Sequence, residues 1–384
     1  MAPMNTCLHL RGWPRWIAAT VSAGAFAAVS AAQSPPAQAT GVFVHSALGG
    51  FILGYDVDRP GTEGLLCEAL TLPNGHHDVA VETFDQTTGN IVRIVRRQTD
   101  TSNDFVALGV AGRSVGLVEF EHVSTIYVDR RAYLTMNPLG ANAFTGLWTP
   151  ALTANDIILS MSESQGSPAT AFLGFHNGGS SNTFVFSSNV AANTFGPLVT
   201  VNDPVFTFSN SPVMALDTST GRALLAASNG CPQCRPQFGL IDLATGTQSG
   251  FNGLGFGYVN GIALDPATGI ACTSTEIDFS VEFYDLATQT GFVVPLPGAT
   301  SQAQSGRAVA VDPIHRLFLV GQEFSSTAPS GSSIQVFDEQ GQYVESVDGL
   351  SLPASSTRIA INARRRTGFV LVTPGLTSLQ QFTY

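Results

Sequence analysis

The segment Gly261-Ile-Ala-Leu-Asp265-Pro-Ala-Thr-Gly269 decides the fold, because it has three further copies at regular spacing along the chain. Each copy is a short apolar run, then Asp or Asn, then a tight turn and a second apolar run. The other copies are VMALDTSTG at 213–221, AVAVDPIHR at 308–316 and RIAINARRR at 358–366. Their turn residues Asp217, Asp265, Asp312 and Asn362 are separated by 48, 47 and 50 residues. The C-terminal half is therefore built from a structural repeat.

A second motif lies between these copies and predicts two more strands in each unit. It reads FGLIDLATG at 238–246, VEFYDLAT at 281–288 and IQVFDEQG at 334–341, and a short apolar stretch follows it. A helix would place apolar residues at i, i+3, i+4 and i+7, and these windows lack that period. Four strands in each repeat predict an all-β fold and are typical of β-propeller blades.

Weaker copies in the N-terminal half predict a single β-propeller of seven four-stranded blades. We interpret 78–89 with 90–95, 125–127 with 132–136, and 156–166 with 169–175 as the first two strands of earlier units. Their turns would lie at Asp85, at Asp129 and near Ser162. The last unit ends in Thr377–Tyr384 with only three strands. A strand from Gly41–Leu72 is expected to complete it, because an open ring leaves strand edges unpaired. Residues 41–384 would then form one domain.

The charge composition excludes several classes of function. The chain has a formal net charge of -11, only 12% charged residues, and no lysine among its 17 basic residues. The absence of lysine excludes Schiff-base chemistry and the lysine of a P-loop or a kinase. The acidic balance argues against a nucleic-acid partner, because binding to phosphates requires basic residues.

The N-terminus predicts export, and export bears on the cysteines. Residues 1–32 resemble a secretory signal peptide, with Arg11 and Arg15 before an apolar run, and 33–40 read as a flexible leader. A secreted or periplasmic location follows, and no later segment is apolar enough to span a membrane.

Cys231 and Cys234, in a C-x-x-C motif, are predicted to form a loop disulfide. A redox or metal role for this pair is the alternative. Cys67 and Cys272 are either a second disulfide or buried thiols.

The repeats resemble the bacterial YVTN, NHL and lactonase-like group of β-propellers. Its pattern is an apolar strand, an Asp-Pro-x-x-Gly turn, a second strand, and a later strand ending in Asp-x-x-Thr-Gly. Residues 261–269 followed by 280–291 match it, and the likeness covers roughly residues 205–384. The resemblance implies the fold but no single activity, because the group includes lactone hydrolases, lyases, electron-transfer enzymes and binding modules.

The resemblance also implies where a site would lie, at the mouth of a central channel. The loops leading into the innermost strands would contribute Asn210, Asn260, Arg307 and Arg358. The loops between second and third strands would contribute 231–235, 276–278 with Glu276, and 323–332 with Glu323. Asn210, Asn260, Glu276 and Glu323 are oxygen ligands that suit calcium or another divalent cation. Arg307 and Arg358 would instead bind an anion or form ion pairs between blades.

No catalytic motif accompanies these residues. The first hypothesis for function is accordingly an exported, monomeric β-propeller that binds an unidentified protein or small molecule, without a cofactor. The alternative is a propeller hydrolase or lyase, similar to the lactonases, with a divalent cation at the channel mouth. Three or more carboxylate or amide oxygens converging on one point would favour the enzyme.

Overall fold

The computed structural model describes a set of ranges that begins at residue 36. Backbone and side chains are described for residues 36–57, 61–96, 213–217, 220–226, 234–275, 278–299, 306–322, 333–351, 358–372 and 377–384. The backbone alone is described for residues 97–98, 227 and 332 and for the strands between 104 and 202. All of these residues belong to one unit, Pro35–Tyr384.

The described residues form β-strands joined by turns and contain no helix, so the prediction of an all-β fold is confirmed. The strands of the N-terminal half are β1 (Gln38–His45), β2 (Phe51–Asp56), β3 (Glu63–Thr71), β4 (His77–Asp85), β5 (Ile91–Gln98), β6 (Asp104–Ala111), β7 (Ser114–Val123), β8 (Ile126–Thr135), β9 (Leu147–Trp148), β10 (Asp156–Ser164), β11 (Thr170–Asn177), β12 (Asn182–Asn189) and β13 (Thr194–Asn202). Those of the C-terminal half are β14 (Val213–Asp217), β15 (Arg222–Ala227), β16 (Gln237–Asp242), β17 (Gln248–Asn252), β18 (Val259–Leu264), β19 (Ile270–Thr275), β20 (Ser280–Asp285), β21 (Thr290–Pro295), β22 (Gly306–Asp312), β23 (Leu317–Gln322), β24 (Ser332–Asp338), β25 (Tyr343–Leu350), β26 (Ile359–Asn362), β27 (Thr367–Val372) and β28 (Ser378–Thr383).

The strands pair in chain order. Five four-stranded sheets run β2 to β5, β6 to β9, β10 to β13, β14 to β17 and β18 to β21. An eight-stranded sheet has the order β22-β23-β24-β25-β1-β28-β27-β26. The first strands of successive units also contact one another, in the order β2, β6, β10, β14, β18, β22, β26, and β26 returns to β2.

The Asp residues of the repeat act at the turns as their chemistry predicts. After β4, for example, Asp85 Oδ1 accepts the backbone N–H groups of Thr87 at 2.8 Å and Thr88 at 2.9 Å. Gly89 closes this turn with a φ of 76°, a conformation that glycine adopts readily. The side-chain oxygen thus satisfies amides that strand pairing leaves free.

An N-terminal strand pairs with the C-terminal strand, as the incomplete last repeat predicts. Strand β1 runs antiparallel to β28, with Gln38 opposite Thr383 and His45 opposite Ser378. The strand begins at Gln38, so the last three residues of the predicted leader 33–40 belong to it. Thr40 explains part of this extension, because its hydroxyl donates to the backbone oxygen and side chain of Gln381.

Two N-terminal assignments from the sequence are wrong. Residues 78–95 are the third and fourth strands of their sheet, β4 and β5, and not the first two. Asp129 lies inside the single strand β8 and not at a turn. The cause of the first error is that both kinds of turn carry Asp followed by Thr and Gly, so that the motif alone does not show which turn it marks. The assignment of 156–166 and 169–175 to first and second strands agrees with β10 and β11.

Aromatic side chains fill the space between neighbouring sheets. The rings of Phe84 and Phe369 meet edge to face with centroids 5.3 Å apart, which joins β4 to β27. Phe283 and Phe318 also meet edge to face, with centroids 5.5 Å apart, and join β20 to β23. All four residues are completely buried. The core is therefore a series of layers between sheets.

Candidate functional site

The candidate site is the end of the sheets at which the first strand of each unit begins. In an antiparallel unit the first strand begins, the second ends and the third begins at this same edge. We call it the loop end. Its described segments are 46–50 before β2, 72–76 between β3 and β4, 253–258 before β18, and Arg358 before β26.

Two buried glutamates hold the first of these segments. Glu68 Oε1 accepts the Leu48 N–H at 2.7 Å and its Oε2 accepts the Gly50 N–H at 2.9 Å. Glu82 accepts the Ala47 N–H at 3.2 Å. Both glutamates are completely buried. Burial, with the hydrogen bond to Glu68 and the charge of Glu68, raises the pKa of Glu82 to about 9. Both side chains therefore position the backbone of the segment 46–50, and neither is exposed to solvent.

In two other sheets, the residue that corresponds to Glu82 in the third strand also accepts backbone N–H groups of a loop. Glu282 accepts the backbone N–H groups of Leu254 and, at 3.3 Å, of Gly255. Gln380 Oε1 accepts the Ser351 N–H at 2.7 Å. Burial raises the pKa of Glu282, and the loop N–H groups oppose that shift.

The sequence analysis missed these anchors, although a signal for them exists. The third strands read VETFD at 81–85, VEFYD at 281–285, IQVFD at 334–338 and LQQFT at 379–383. A Glu or Gln stands at the second position of each, directly after an apolar residue and two positions before an aromatic residue. A carboxylate or amide in the interior of an apolar strand must find hydrogen-bond partners when it is buried.

The structure places three of the six predicted channel-mouth residues. The side-chain amide of Asn260 donates to the Gly306 carbonyl at 3.0 Å, so it joins two sheets. Arg358 lies 3.7 Å from the Asp56 carboxylate and 5.8 Å from the centre of the Tyr55 ring. Arg307 is half-buried in β22. Asn210, Glu276 and Glu323 lie outside the described residues.

The contacts of Arg358 favour the ion pair between sheets over the anion site. Its guanidinium faces a carboxylate of β2, and its carbonyl accepts the Tyr55 hydroxyl at 2.5 Å. Burial raises the pKa of Tyr55, with the Arg358 charge acting against it. Arg358 thus connects β26, the first strand of the last unit, to β2, the first strand of the first four-stranded sheet.

Apolar side chains are exposed at the loop end, a feature that the sequence analysis did not predict. Phe51 is 55% exposed at the start of β2, with Leu53 beside it. In the segment before β18, Phe256 is 40% exposed and Leu254 is partly exposed. Arg235 lies over the Phe256 ring, 5.7 Å from its centre. Phe256 and Arg235 thus form an exposed cation–π contact, and Phe51 with Leu53 forms a second exposed apolar pair.

Two of the three described cysteines, Cys67 and Cys272, are buried and offer no reactive centre. Cys67 and Cys272 are free, completely buried thiols, which decides between the two alternatives for them. Burial raises the pKa of both thiols, so that neither is a ready nucleophile. The Cys234 carbonyl accepts the Gly257 N–H at 3.2 Å, which ties the C-x-x-C loop to the segment before β18. No disulfide is present among the described cysteines Cys67, Cys234 and Cys272. Cys231 lies outside the described residues, so the Cys231–Cys234 disulfide is not supported by the structure and stays a prediction.

Within the described ranges, no group of three or more His, Cys, Asp or Glu side chains is arranged to hold a metal ion. Nor does this part of the chain contain a helix long and apolar enough to cross a membrane. Comparisons of the sequence with protein-family models and with curated proteins found no match. Function is therefore inferred from the residues of the loop end.

Proposed function

We propose that the protein is an exported, seven-bladed β-propeller that acts as a binding module. Three observations support this architecture. The sheets are four-stranded units in chain order, their first strands contact one another in a closed sequence, and β1 adds a fourth strand to β26, β27 and β28. A seven-bladed ring accounts for all three, because pairing of the two chain ends removes the open edge. The resemblance to the YVTN, NHL and lactonase-like group supports the same proposal.

The exposed apolar surface at the loop end is the observation that carries the binding function. Phe51 and Leu53 project at the start of an innermost strand of the proposed ring, where a ligand would meet the channel. The nearby carboxylates of Glu68 and Glu82 are occupied by loop amides and are closed to solvent. The surface therefore offers apolar contact area, and its buried acids serve to hold the loop in place.

Ligand binding is tested with a purified protein and a small-molecule panel, read as an increase in melting temperature. We expect a ligand with an apolar moiety to raise the melting temperature of the wild type. The double variant Phe51→Ser plus Leu53→Ser should bind that ligand at least tenfold more weakly. Val92→Ser is the matched control, because Val92 is 67% exposed on β5, a strand remote in sheet order from β2. Equal loss with Val92→Ser contradicts the proposed surface.

The same preparation tests the enzymatic alternative and export. If the protein turns over lactones or esters and requires added calcium to do so, the hydrolase is the correct function and the binding module is not. N-terminal sequencing of secreted or periplasmic protein should begin near residue 33. Size-exclusion chromatography tests the monomer.

A further inference from the structure

The described residues show a contact between sheets that recurs three times with different chemistry. In each case one partner is the residue directly after the third strand of a unit. The other partner is the turn residue at the end of the first strand in the unit before it. The Asn362 amide donates to Gln86 Oε1 at 3.1 Å, and the Tyr384 hydroxyl donates to Asp312 Oδ2 at 3.0 Å. The third contact joins Glu339 to Asp265. All three pairs are buried.

The first two pairs match a donor with an acceptor, but the third brings two carboxyl groups together. Asp265 is completely buried and Glu339 is 8% exposed. Asp265 Oδ1 accepts the Ala267 N–H at 2.8 Å, whereas Asp265 Oδ2 and Glu339 Oε1 have no hydrogen-bond donor among the described residues. A buried carboxyl oxygen without a donor is unfavourable, and one proton shared by the Asp265 and Glu339 carboxyl groups would make a hydrogen bond between them.

We propose that Asp265 and Glu339 form a proton-dependent clasp, in which one shared proton joins the sheet β18 to β21 to the unit β22 to β25 and its loss weakens that contact. The clasp occupies the position that the Asn362–Gln86 amide pair and the Tyr384–Asp312 hydroxyl–carboxylate pair occupy between other units. It is a pH-sensitive element of the fold and does not depend on the identity of a ligand.

The electrostatic surroundings agree with a protonated pair. Burial, reinforced by Asp265 and opposed by a hydrogen bond to Thr268, raises the pKa of Glu339. Such a group contributes stability that is complete below its unfolded pKa and is lost as the pH rises through its folded pKa. Arg316 lies close by, with its guanidinium 3.9 Å from Glu339 Oε2, but its side chain is 67% exposed and solvent screens its charge.

The other charged groups on the surrounding turns have partners of their own. Asp312 bonds to the His315 ring at 2.7 Å, Asp338 accepts the N–H groups of Gln340 and Gln342, and Asp285 accepts that of Ala287. None of these groups supplies a donor to the two orphan oxygens.

The test compares the melting temperature of wild type and Glu339→Gln from about pH 4.3, the ordinary pKa of a glutamate, to about pH 9 in the presence of EDTA. The glutamine amide replaces the shared proton with a permanent donor, as in the Gln86–Asn362 pair. We expect the wild type to fall relative to Glu339→Gln by about 2 °C or more as the pH rises. Glu82 also titrates in this range, so the difference between the two proteins is the diagnostic quantity.

A second variant and a control make the result decisive. Asp265→Asn should abolish the same pH step, because it also supplies a donor to the pair. Asp338→Asn removes one charge at the neighbouring residue and keeps an acceptor oxygen, so it should run parallel to the wild type. A constant difference between wild type and both clasp variants across the pH range overturns the proposal. Recovery of the wild type at pH 8 by calcium, and not by acid, would also overturn it by assigning a cation to the site.

Discussion

Phe382 tests what side-chain packing at the pairing of the two chain ends contributes to stability. It lies in β28 opposite Ala39 of β1 and Gly368 of β27, and it is completely buried. Its ring occupies the space that a side chain at residue 368 would need, because a Cβ there would be 2.3 Å from Phe382 Cζ. Phe382→Ala therefore removes the filling of a site between three strands.

The expected loss is large. Truncation of a buried phenylalanine to alanine costs about 3–5 kcal/mol, and the value is highest where the surroundings do not collapse into the cavity. Backbone pairing on both sides of Phe382 restricts such collapse, so we expect the upper half of this range. With a urea m value of about 3 kcal/mol/M, the unfolding midpoint should fall by about 1.3–1.7 M.

Equilibrium unfolding in urea, followed by tryptophan fluorescence and circular dichroism, measures this change. Phe292→Ala is the matched control, because Phe292 is an aromatic residue of the outer strand β21 and is 42% exposed. It should lose less than half as much stability. A loss below about 1 kcal/mol for Phe382→Ala, or an equal loss for both variants, would refute the view that the β1–β28 pairing is a major source of stability.

Three further predictions follow from buried groups in other sheets. Because the folded pKa of Glu82 is raised to about 9, its contribution to stability should be lost as the pH rises through that value, and Glu82→Gln should flatten the alkaline part of a melting-temperature profile. The thiols of Cys67 and Cys272 should resist a disulfide reagent such as DTNB in the native protein and react after unfolding in urea; rapid labelling under native conditions would contradict their burial. Gly64→Ala should destabilise by about 1–3 kcal/mol in urea titrations, because the added Cβ would be 2.3 Å from Phe84 Cζ; wild-type stability would show that this ring moves freely.

In the C-terminal half, periodicity and turn chemistry were sufficient to predict strands, their turns and their grouping in fours. The copies around Asp217, Asp265 and Asp312 show this, because each Asp stands where an apolar run gives way to a tight turn. The missing fourth strand of the last repeat predicted the pairing that β1 makes with β28. These features depend on neighbours in the sequence, since strand alternation and side-chain capping of a turn act over a few residues.

The partners of the buried polar groups depended on tertiary structure. Glu82 binds a loop 35 residues away, and Arg358 meets Asp56 across the return from β26 to β2. Asp265 looked like any turn aspartate in the sequence, and only the packing of two units brings Glu339 against it. Residues that are close in the sequence determine the spacing of the repeats and the positions of the turns. Burial and hydrogen-bond partners depend on which distant strands pack together. That is why the repeat was visible in the sequence and the function of its acids was not.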